Sequence, residues 1–265
     1  MKRLSESKNR ELLILTCSVE ARADSSSHAR KEKSVRLKDY LSSINSWITL
    51  TRENNWDICV LENSGHTQDL LEGLKLSQFE KIDSGQIKFV ACELDTVSAK
   101  NGISQGEFNM LHEALIPQLG NYDFIWKATG RTFVENVPQL RHTTRKPDLV
   151  VELTFIPYVS ANSRFFGMKV DLWQQFLQPN VIFCQGINSS YTNLSFESME
   201  EYLTFFTLKK MHERKRVDLF EQILMHRGSS GSKDKVISNR KRRFLLILLN
   251  PIRPLLRKLL MGIIP

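Results

Sequence analysis

The residues best suited to phosphate chemistry follow an apolar run near the middle of the chain. Residues 124–126 lead directly into Lys127, and after one alanine come Thr129, Gly130 and Arg131. An ammonium, a hydroxyl and a guanidinium around a glycine, which permits close backbone approach, are groups that bind a diphosphate. The alternative is a strand end that carries only solvated charges. We predict that Lys127, Thr129, Gly130 and Arg131 bind a diphosphate.

These residues need a scaffold, and the hydrophobic pattern predicts one. Short apolar runs alternate with amphipathic stretches, which indicates a parallel sheet with helices on its faces. In open sheets of this kind, ligands bind beyond the carboxyl ends of the strands. The predicted strands are residues 12–19, 57–61, 87–92 and 122–127, and the predicted helices are residues 35–53, 67–81 and 107–119.

A second polar group follows the second predicted strand at the same edge of the sheet. Glu62, Asn63 and Ser64 come directly after residues 57–61. Amide and hydroxyl groups at this place can read a nucleobase or a ribose, whereas the alternative is that Asn and Ser only make the turn. His28, in the loop after the first strand, can approach the same ligand. We assign Glu62, Asn63 and Ser64 to ligand binding.

The second half of the chain is less regular. It predicts strands at residues 149–155 and 163–168, and helices at residues 170–177 and 196–226. Residues 227–232 are small and polar, which is typical of a flexible linker. This composition change indicates where the globular part ends.

The charge distribution supports the same division. The chain has 265 residues and a net charge of +8, but seven Lys and Arg with no acid lie in residues 240–265, so that +1 remains on residues 1–239. A nearly neutral body argues against a nucleic-acid partner. One large domain with an appendage fits this length. We predict three segments: an α/β domain at residues 1–227, a linker at residues 228–239 and a basic tail at residues 240–265.

The basic tail combines cations with leucine-rich units. Residues 240–243 are all basic, the apolar residues 244–249 follow, and a second basic and apolar unit comes after them. A membrane-spanning helix needs about 20 nearly uncharged residues. Arg253, Arg257, Lys258 and two prolines interrupt this tail. We predict that the tail lies on an anionic membrane surface, with a helix that folds back on the body or mediates a dimer as the alternative.

Cysteine usage and the amino terminus indicate the cytoplasm. Cys17, Cys59, Cys92 and Cys184 lie in or beside apolar runs, without the Cys and His spacing of a zinc site. We predict buried, reduced thiols. The first apolar run, residues 12–15, is too short for a signal peptide. The expected location is the cytoplasm, on the inner face of the cell membrane.

Three motifs in a fixed order resemble one family. This set is similar to that of bacterial glycosyltransferases that assemble surface polysaccharides such as O-antigen, capsule and lipopolysaccharide. The resemblance covers residues 12 to about 210. The motifs are Asn101-Gly102-x-x-Gln105-Gly106-Glu107, then Lys127-x-Thr129-Gly130-Arg131, then Ser163-Arg164-Phe165-Phe166-Gly167.

The resemblance implies a GT-A-like fold, which is a single Rossmann-type α/β domain with a mostly parallel central sheet. It also implies transfer of a sugar from a nucleotide-activated donor to a glycan acceptor, lipid-linked in this setting. Arg164 joins the donor-binding residues on this basis.

The sequence departs from the usual metal-binding pattern of this fold. Many GT-A enzymes hold Mg²⁺ or Mn²⁺ through Asp-x-Asp near the end of the fourth strand. No Asp-x-Asp occurs in this sequence, and Lys127-x-Thr129-Gly130-Arg131 stands at that place. We predict that protein cations stabilise the leaving diphosphate and that no cofactor is needed. The alternative is a metal held by Asp95 or Asp123 together with ligand phosphates.

A general base is needed if the transfer inverts the sugar configuration. Glu107, Asp95 and Glu152 are the candidates. Glu107 stands at a predicted helix start, where an acid also suits the helix dipole. Glu152 lies inside a strand, where an acid is costly unless it faces a site or a partner. We predict Glu107 as the first catalytic candidate and Glu152 as the second.

Two other functions remain open. The chain can be a non-catalytic, membrane-associated assembly protein that keeps the fold without turnover. A nucleic-acid-binding protein is less favoured, because no aromatic and basic module such as an RNA-recognition strand motif occurs in the sequence.

Overall fold

The structure is a computed structural model that describes residues 10–20, 32–54, 56–74, 85–92, 103–137, 147–154, 159–183, 194–219, 224, 226–230 and 235–236. Its strands are β1 (Glu11–Cys17), β2 (Asp57–Glu62), β3 (Ile87–Ala91), β4 (Phe124–Thr129), β5 (Thr132–Val134), β6 (Leu149–Thr154), β7 (Ser160–Lys169), β8 (Val181–Phe183), β9 (Leu194–Phe196), β10 (Val217–Leu219), β11 (His226–Ser230) and β12 (Lys235–Val236). Its helices are α1 (Lys33–Asn54), α2 (residues 67–74), α3 (Ile103–Leu115), the 3₁₀ helix Ile116–Asn121, α4 (Val170–Phe176) and α5 (Met199–His212).

A seven-stranded sheet forms the centre of the fold, in the order β10-β6-β7-β4-β1-β2-β3. β1 pairs in parallel with β2 and β4, and β2 pairs in parallel with β3. β7 is antiparallel to both β4 and β6, so it begins where β4 ends. The predicted α/β class with a mostly parallel central sheet is confirmed. We call the edge where β1, β2 and β4 end the carboxyl edge.

The central strands are buried on both sides, which explains their nearly continuous apolar runs. In β1, Leu12 packs against the layer of α3, α4 and α5, whereas Leu13 packs against the layer of α1 and α2. We call these sides the α3 face and the α1 face. The alternation continues to the end of the strand, with Thr16 on the α3 face and Cys17 on the α1 face.

The helix predicted to begin at Glu107 begins earlier. α3 starts at Ile103, so Gln105 and Gly106 lie inside the helix rather than in a loop. Gln105 accepts a hydrogen bond from the Phe183 backbone N–H at 2.9 Å. This long-range bond fixes the first turn of α3 against β8. The glycines around residue 105 suggested a loop, and nothing in the local sequence indicates this bond.

The helix predicted over residues 196–226 is much shorter. The Ser198 hydroxyl caps α5 by accepting from the Glu201 backbone N–H at 3.2 Å. After the helix, Arg214 adopts a left-handed φ of 57°, a conformation that turns the chain at a helix end. Residues 217–219 then form β10 beside β6. The prediction was wrong for β10 because its strand pairing is not a local property.

The predicted linker also contains ordered strand. β11 pairs antiparallel with β5, so that His226 lies opposite Val134 and Gly228 lies opposite Thr132. β12 pairs with β11. The prediction of a flexible linker was therefore wrong for residues 228–230 and for residues 235–236. Residues 240–265 lie outside the described residues, and the described stretches contain no helix long and apolar enough to cross a membrane.

The predicted burial is confirmed for Cys17 and Cys59 but not for Cys92, and all three described cysteines are free. Cys17 and Cys59 are buried and free, and Cys92 is a half-buried free thiol. Burial, followed by the charge of Glu62, raises the pKa of the Cys17 thiol well above its usual value. The thiol therefore stays protonated and unreactive. Cys184 lies outside the described residues.

Candidate active site

A carboxylate held by two donors lies at the carboxyl edge of the sheet. Glu107, in α3, accepts hydrogen bonds at Oε1 from the Thr16 hydroxyl at 2.8 Å and from the Lys127 ammonium at 2.7 Å. Thr16 and Lys127 come from the paired strands β1 and β4, where both side chains point to the α3 face. Oε2 of Glu107 has no hydrogen-bond partner among the described residues, and the side chain is 20% exposed. Glu107 therefore has one anchored oxygen and one that can receive a proton.

The Lys127 ammonium is fully buried and uses all three of its donors. Besides Glu107, it donates to the Ser163 carbonyl at 2.7 Å and to the Thr129 hydroxyl at 3.3 Å. This geometry does not match the predicted role of a diphosphate ligand. Lys127 instead holds Glu107 in place and neutralises its charge, as a buried ammonium requires. The half-buried Thr129 hydroxyl accepts from Lys127 and keeps its own hydrogen to donate.

Gly130 is required by packing of the turn against β1. Its N–H donates to the Thr16 carbonyl at 2.9 Å. A Cβ on Gly130 would lie 2.5 Å from Cys17 Sγ and 2.9 Å from the Thr16 carbonyl oxygen. Gly130 was predicted to allow the close approach of a phosphate. Packing against β1 is by itself a sufficient reason for a glycine at this position.

We expect Gly130→Ala to destabilise the fold by about 2 kcal/mol, because an added methyl group would overlap with a backbone carbonyl that cannot move away easily. Urea unfolding followed by circular dichroism measures this loss. Gly120→Ala is the matched control, since nothing lies within 4 Å of its added Cβ. Equal stability of the two variants would contradict the packing argument.

Arg131 is a buried cation with unused donors. Its side chain is on the α1 face, where the guanidinium lies 5.6 Å from the centre of the Tyr40 ring. The residue is 9% exposed, and its buried Nε and Nη1 atoms make no hydrogen bond among the described residues. Unpaired buried donors are costly and indicate a missing partner. The arrangement agrees with the predicted binding of an anion.

The turn after β2 is held mainly by its own contacts. Glu62 is fully buried and accepts from the backbone N–H groups of Val19 at 3.2 Å, Ser64 at 3.0 Å and His66 at 2.7 Å. The Ser64 hydroxyl also donates to Glu62. Glu62 and Ser64 therefore fix the loops after β1 and β2, and the prediction that they bind the donor does not fit their contacts. Asn63 differs, because its buried Oδ1 has no hydrogen-bond partner among the described residues and stays a candidate ligand.

Glu152 is removed from the candidate bases. It is 1% exposed on the α1 face, and its Oε1 accepts from the Leu224 backbone N–H at 2.9 Å. Its Oε2 accepts from the Asn162 amide at 2.5 Å, and Asn162 also contacts His226. Glu152 therefore ties residue 224 to the sheet and cannot reach a substrate.

The remaining predicted residues are distributed between the two edges of the sheet. Arg164, in β7, follows Ser163 at the carboxyl edge and donates its backbone N–H to the Asn162 side chain at 3.1 Å. Asp123 precedes β4 at the opposite edge, about 20 Å from Thr129 at the rise of an extended strand. Asp123 is therefore excluded as a metal ligand of this site. Asp95 and His28 lie outside the described residues.

Sequence reasoning missed two kinds of residue. Thr16 lies one residue before the end of an apolar strand. A hydroxyl at this position is a sequence signal that could have marked it as a site residue. Arg36 and Tyr40 lie in α1 and carried no signal, because a helical Arg or Tyr is ordinarily a surface or core residue. Among the described residues, no group of three or more His, Cys, Asp and Glu side chains is arranged to hold a metal ion.

Comparison with known proteins gives similarity of structure only. No protein-family model and no curated protein matches the sequence. A chain from Desulfovibrio desulfuricans G20, provisionally described as a nucleotide-diphospho-sugar transferase, is 11% identical, with 79% of each chain covered and a TM-score of 0.42. The glycosyltransferase GlyE of Streptococcus pneumoniae TIGR4 is 10% identical, with 81% of this chain and 46% of that chain covered and a TM-score of 0.43.

The galactosyltransferase LgtC, solved with donor and acceptor sugar analogs, is a third similar structure. It is 10% identical, with 62% of this chain and 59% of that chain covered and a TM-score of 0.39. The chain thus spans about half of the length of GlyE and LgtC. With TM-scores below 0.5, these similarities carry no information on the activity of this chain.

Proposed function

We propose that the chain is a GT-A-like glycosyltransferase that moves a sugar from a nucleotide-activated donor to a glycan acceptor in bacterial surface polysaccharide assembly. The observation that carries the proposal is Glu107, whose Oε1 is fixed by Thr16 and Lys127 while Oε2 is left for a substrate. The Lys127, Thr129, Gly130 and Arg131 motif supports it, because the motif lies where open α/β sheets bind ligands.

In an inverting transfer, Glu107 is the general base. Its Oε2 takes the proton of the acceptor hydroxyl while that oxygen forms a bond to the anomeric carbon of the sugar. The bond from this carbon to the donor diphosphate breaks, and its electron pair leaves with the phosphate oxygen. Arg131 stabilises the charge that develops there. Lys127 keeps Glu107 oriented throughout, since its ammonium stays buried between Glu107 and Ser163.

A screen of nucleotide sugars tests the proposal. Purified protein is titrated with nucleoside-diphosphate and nucleoside-monophosphate sugars in a thermal-shift assay, and binders are checked by calorimetry. We expect at least one donor to raise the melting temperature, because a ligand that binds only the folded state stabilises it. If no donor binds and the protein still binds lipid, a non-catalytic assembly protein replaces this proposal.

We expect donor binding and transfer to persist in EDTA. The basis is Arg131, a buried cation whose unpaired donors can stabilise a diphosphate, together with the missing Asp-x-Asp. The same titrations and product assays are repeated with EDTA and then with added Mg²⁺ or Mn²⁺. Activity that disappears in EDTA and returns with a metal would contradict the expectation and direct attention to Asp95.

The membrane part of the proposal rests on the tail at residues 240–265. A chain that ends at residue 239 keeps β11 and β12 intact, whereas a cut after residue 228 would divide β11. We expect the full chain, but not the shortened chain, to sediment with anionic liposomes. Each Lys or Arg near an anionic leaflet contributes about 1 kcal/mol, and salt weakens this attraction but not the burial of leucines.

Donor binding is the control that shows whether removal of the tail leaves the α/β domain intact. We expect the shortened chain to bind the nucleotide sugar with unchanged affinity and to lose efficient transfer to an acceptor in a membrane. Neutral liposomes serve as the second control, because binding to them depends only on the apolar residues of the tail. Equal sedimentation of both chains would restore the alternatives, a tail that folds back on the body or forms a dimer.

A further inference from the structure

The two groups at the carboxyl edge face opposite sides of the sheet. Thr16, Lys127 and Glu107 meet on the α3 face. Cys17, the next residue of β1, points to the α1 face, and Arg131 lies on that side too, beside Tyr40. The motif at the end of β4 therefore divides between the two faces of the sheet, which meet at its carboxyl edge.

Tyr40 supplies a second donor on the α1 face. It is 3% exposed, and its hydroxyl oxygen accepts a hydrogen bond from the Ser18 backbone N–H at 2.9 Å. A hydroxyl has one hydrogen and two lone pairs, so the hydrogen stays available to a ligand. Burial raises the pKa of Tyr40, which keeps this hydrogen in place at neutral pH.

Arg36 fixes the backbone around these donors. It is fully buried in α1, and its Nε donates to the carbonyls of Ser18 at 3.1 Å and Val19 at 3.0 Å. The pKa of Arg36 is lowered by burial first and also by the nearby charge of Arg131, against the opposing effect of the Tyr40 hydroxyl. The guanidinium groups of Arg36 and Arg131 thus share one buried region with the carboxylate of Glu62, whose charge also acts on Cys17.

The contact with the Tyr40 ring does not satisfy the hydrogen-bond donors of Arg131. A ring face attracts the positive charge of a guanidinium, but the Nε and Nη1 hydrogens of Arg131 still lack acceptors among the described residues. Phosphate oxygens are the acceptors that suit guanidinium donors best.

We infer that the diphosphate of the donor binds on the α1 face, to the Arg131 guanidinium and the Tyr40 hydroxyl, while Glu107 acts from the α3 face on the acceptor. Arg36 is a positioning residue, because it holds the Ser18 backbone that orients Tyr40. The inference rests on the proposed function for its ligand, but the unpaired donors that form the proposed anion site, on Arg131 and Tyr40, do not depend on that function. Lys127 has no part in diphosphate binding, since its donors are all used within the protein.

Calorimetry with inorganic pyrophosphate and with UDP, GDP, ADP, CDP and dTDP tests this inference. The variants are Arg131→Met, Tyr40→Phe and Glu107→Gln. We expect Arg131→Met to weaken pyrophosphate binding about tenfold or more, and Tyr40→Phe to weaken it about threefold to tenfold. Glu107→Gln should not weaken it. Arg227→Met is the matched control, because Arg227 also lies over an aromatic ring, that of Phe133, but is 58% exposed.

Stability and ligand choice separate the possible outcomes. Arg131→Met should melt at the same or a higher temperature, because it replaces an unpaired buried charge by an apolar chain. Pyrophosphate that binds wild type and Arg131→Met equally, or that does not bind wild type, would overturn the inference. A nucleotide bound equally by both proteins would also overturn it, while leaving the proposed function intact. Pyrophosphate binding without binding of any nucleotide or nucleotide sugar would keep the anion site at Arg131 and Tyr40 and reject the proposed function.

Discussion

Glu107→Gln is expected to lower kcat by about 10³-fold, within the range that a general base contributes to proton transfer. The amide keeps a carbonyl oxygen that can accept from Thr16 and Lys127, so the geometry of the site is retained. Only the capacity of the free oxygen to take a proton is lost. The KM for the donor should change little, because Glu107 lies on the face away from Arg131. Release of the nucleoside diphosphate during transfer measures both constants.

Glu113→Gln is the matched control for this variant. Glu113 lies in the same helix, α3, but is exposed to solvent. The control should transfer sugar at the wild-type rate. Wild-type kcat in a folded Glu107→Gln protein would show that Glu107 is not the base, and the search for the base would then move to Asp95.

Lys127→Met is expected to reduce the free energy of unfolding by about 3 kcal/mol. The substitution leaves the mostly buried carboxylate of Glu107 without its counter-charge and the Ser163 carbonyl without its donor. Chemical denaturation at neutral pH measures the loss. Lys169→Met is the control, because Lys169 forms an equally short ion pair, 2.7 Å, with Asp148 but is 36% exposed. Exposed pairs of this kind contribute about 0–1 kcal/mol.

The double variant, with Lys127→Met and Glu107→Gln together, isolates the interaction. Removing both charges leaves no unpaired ion, so the double variant should be more stable than Lys127→Met alone. Additive losses in this cycle would mean that the ammonium and the carboxylate do not stabilise each other. The assignment of Lys127 as the residue that positions Glu107 would then be wrong.

The position of the candidate residues at one edge of the sheet followed from the sequence, because it depends on local signals. An apolar run that stops at polar residues marks the end of a strand, and parallel strands end at one edge. This reasoning placed Lys127, Arg131 and Glu62 at the carboxyl edge, where the structure has them. Glu107 was predicted as a candidate base at a helix start, but the helix begins four residues earlier, at Ile103.

The partners of these side chains were not predictable, since they depend on long-range pairing and on the face that each residue occupies. Glu62 and Glu152 both looked like site carboxylates. Glu62 is instead used by the backbone of Val19, 43 residues away, and Glu152 by that of Leu224, 72 residues away. Glu62 also accepts from Ser64 and His66 in its own turn, so both carboxylates are satisfied within the fold. Arg131 shows the opposite case, a cation whose partner is absent from the described part of the chain.

The pairing of β11 with β5 sets a limit on the distance between the tail and the turn that carries Arg131. Gly228 lies opposite Thr132, the residue after Arg131, and Val236 lies opposite Ser229. Strand spacing keeps Val236 within about 15 Å of Thr132. Four residue steps then lead to Arg240, a reach of at most about 15 Å. The connection between β12 and the tail is therefore short. A bilayer bound by the first basic residues of the tail would lie within about 3 nm of the turn that carries Arg131. This distance suits acceptors whose sugars lie close to the lipid headgroups.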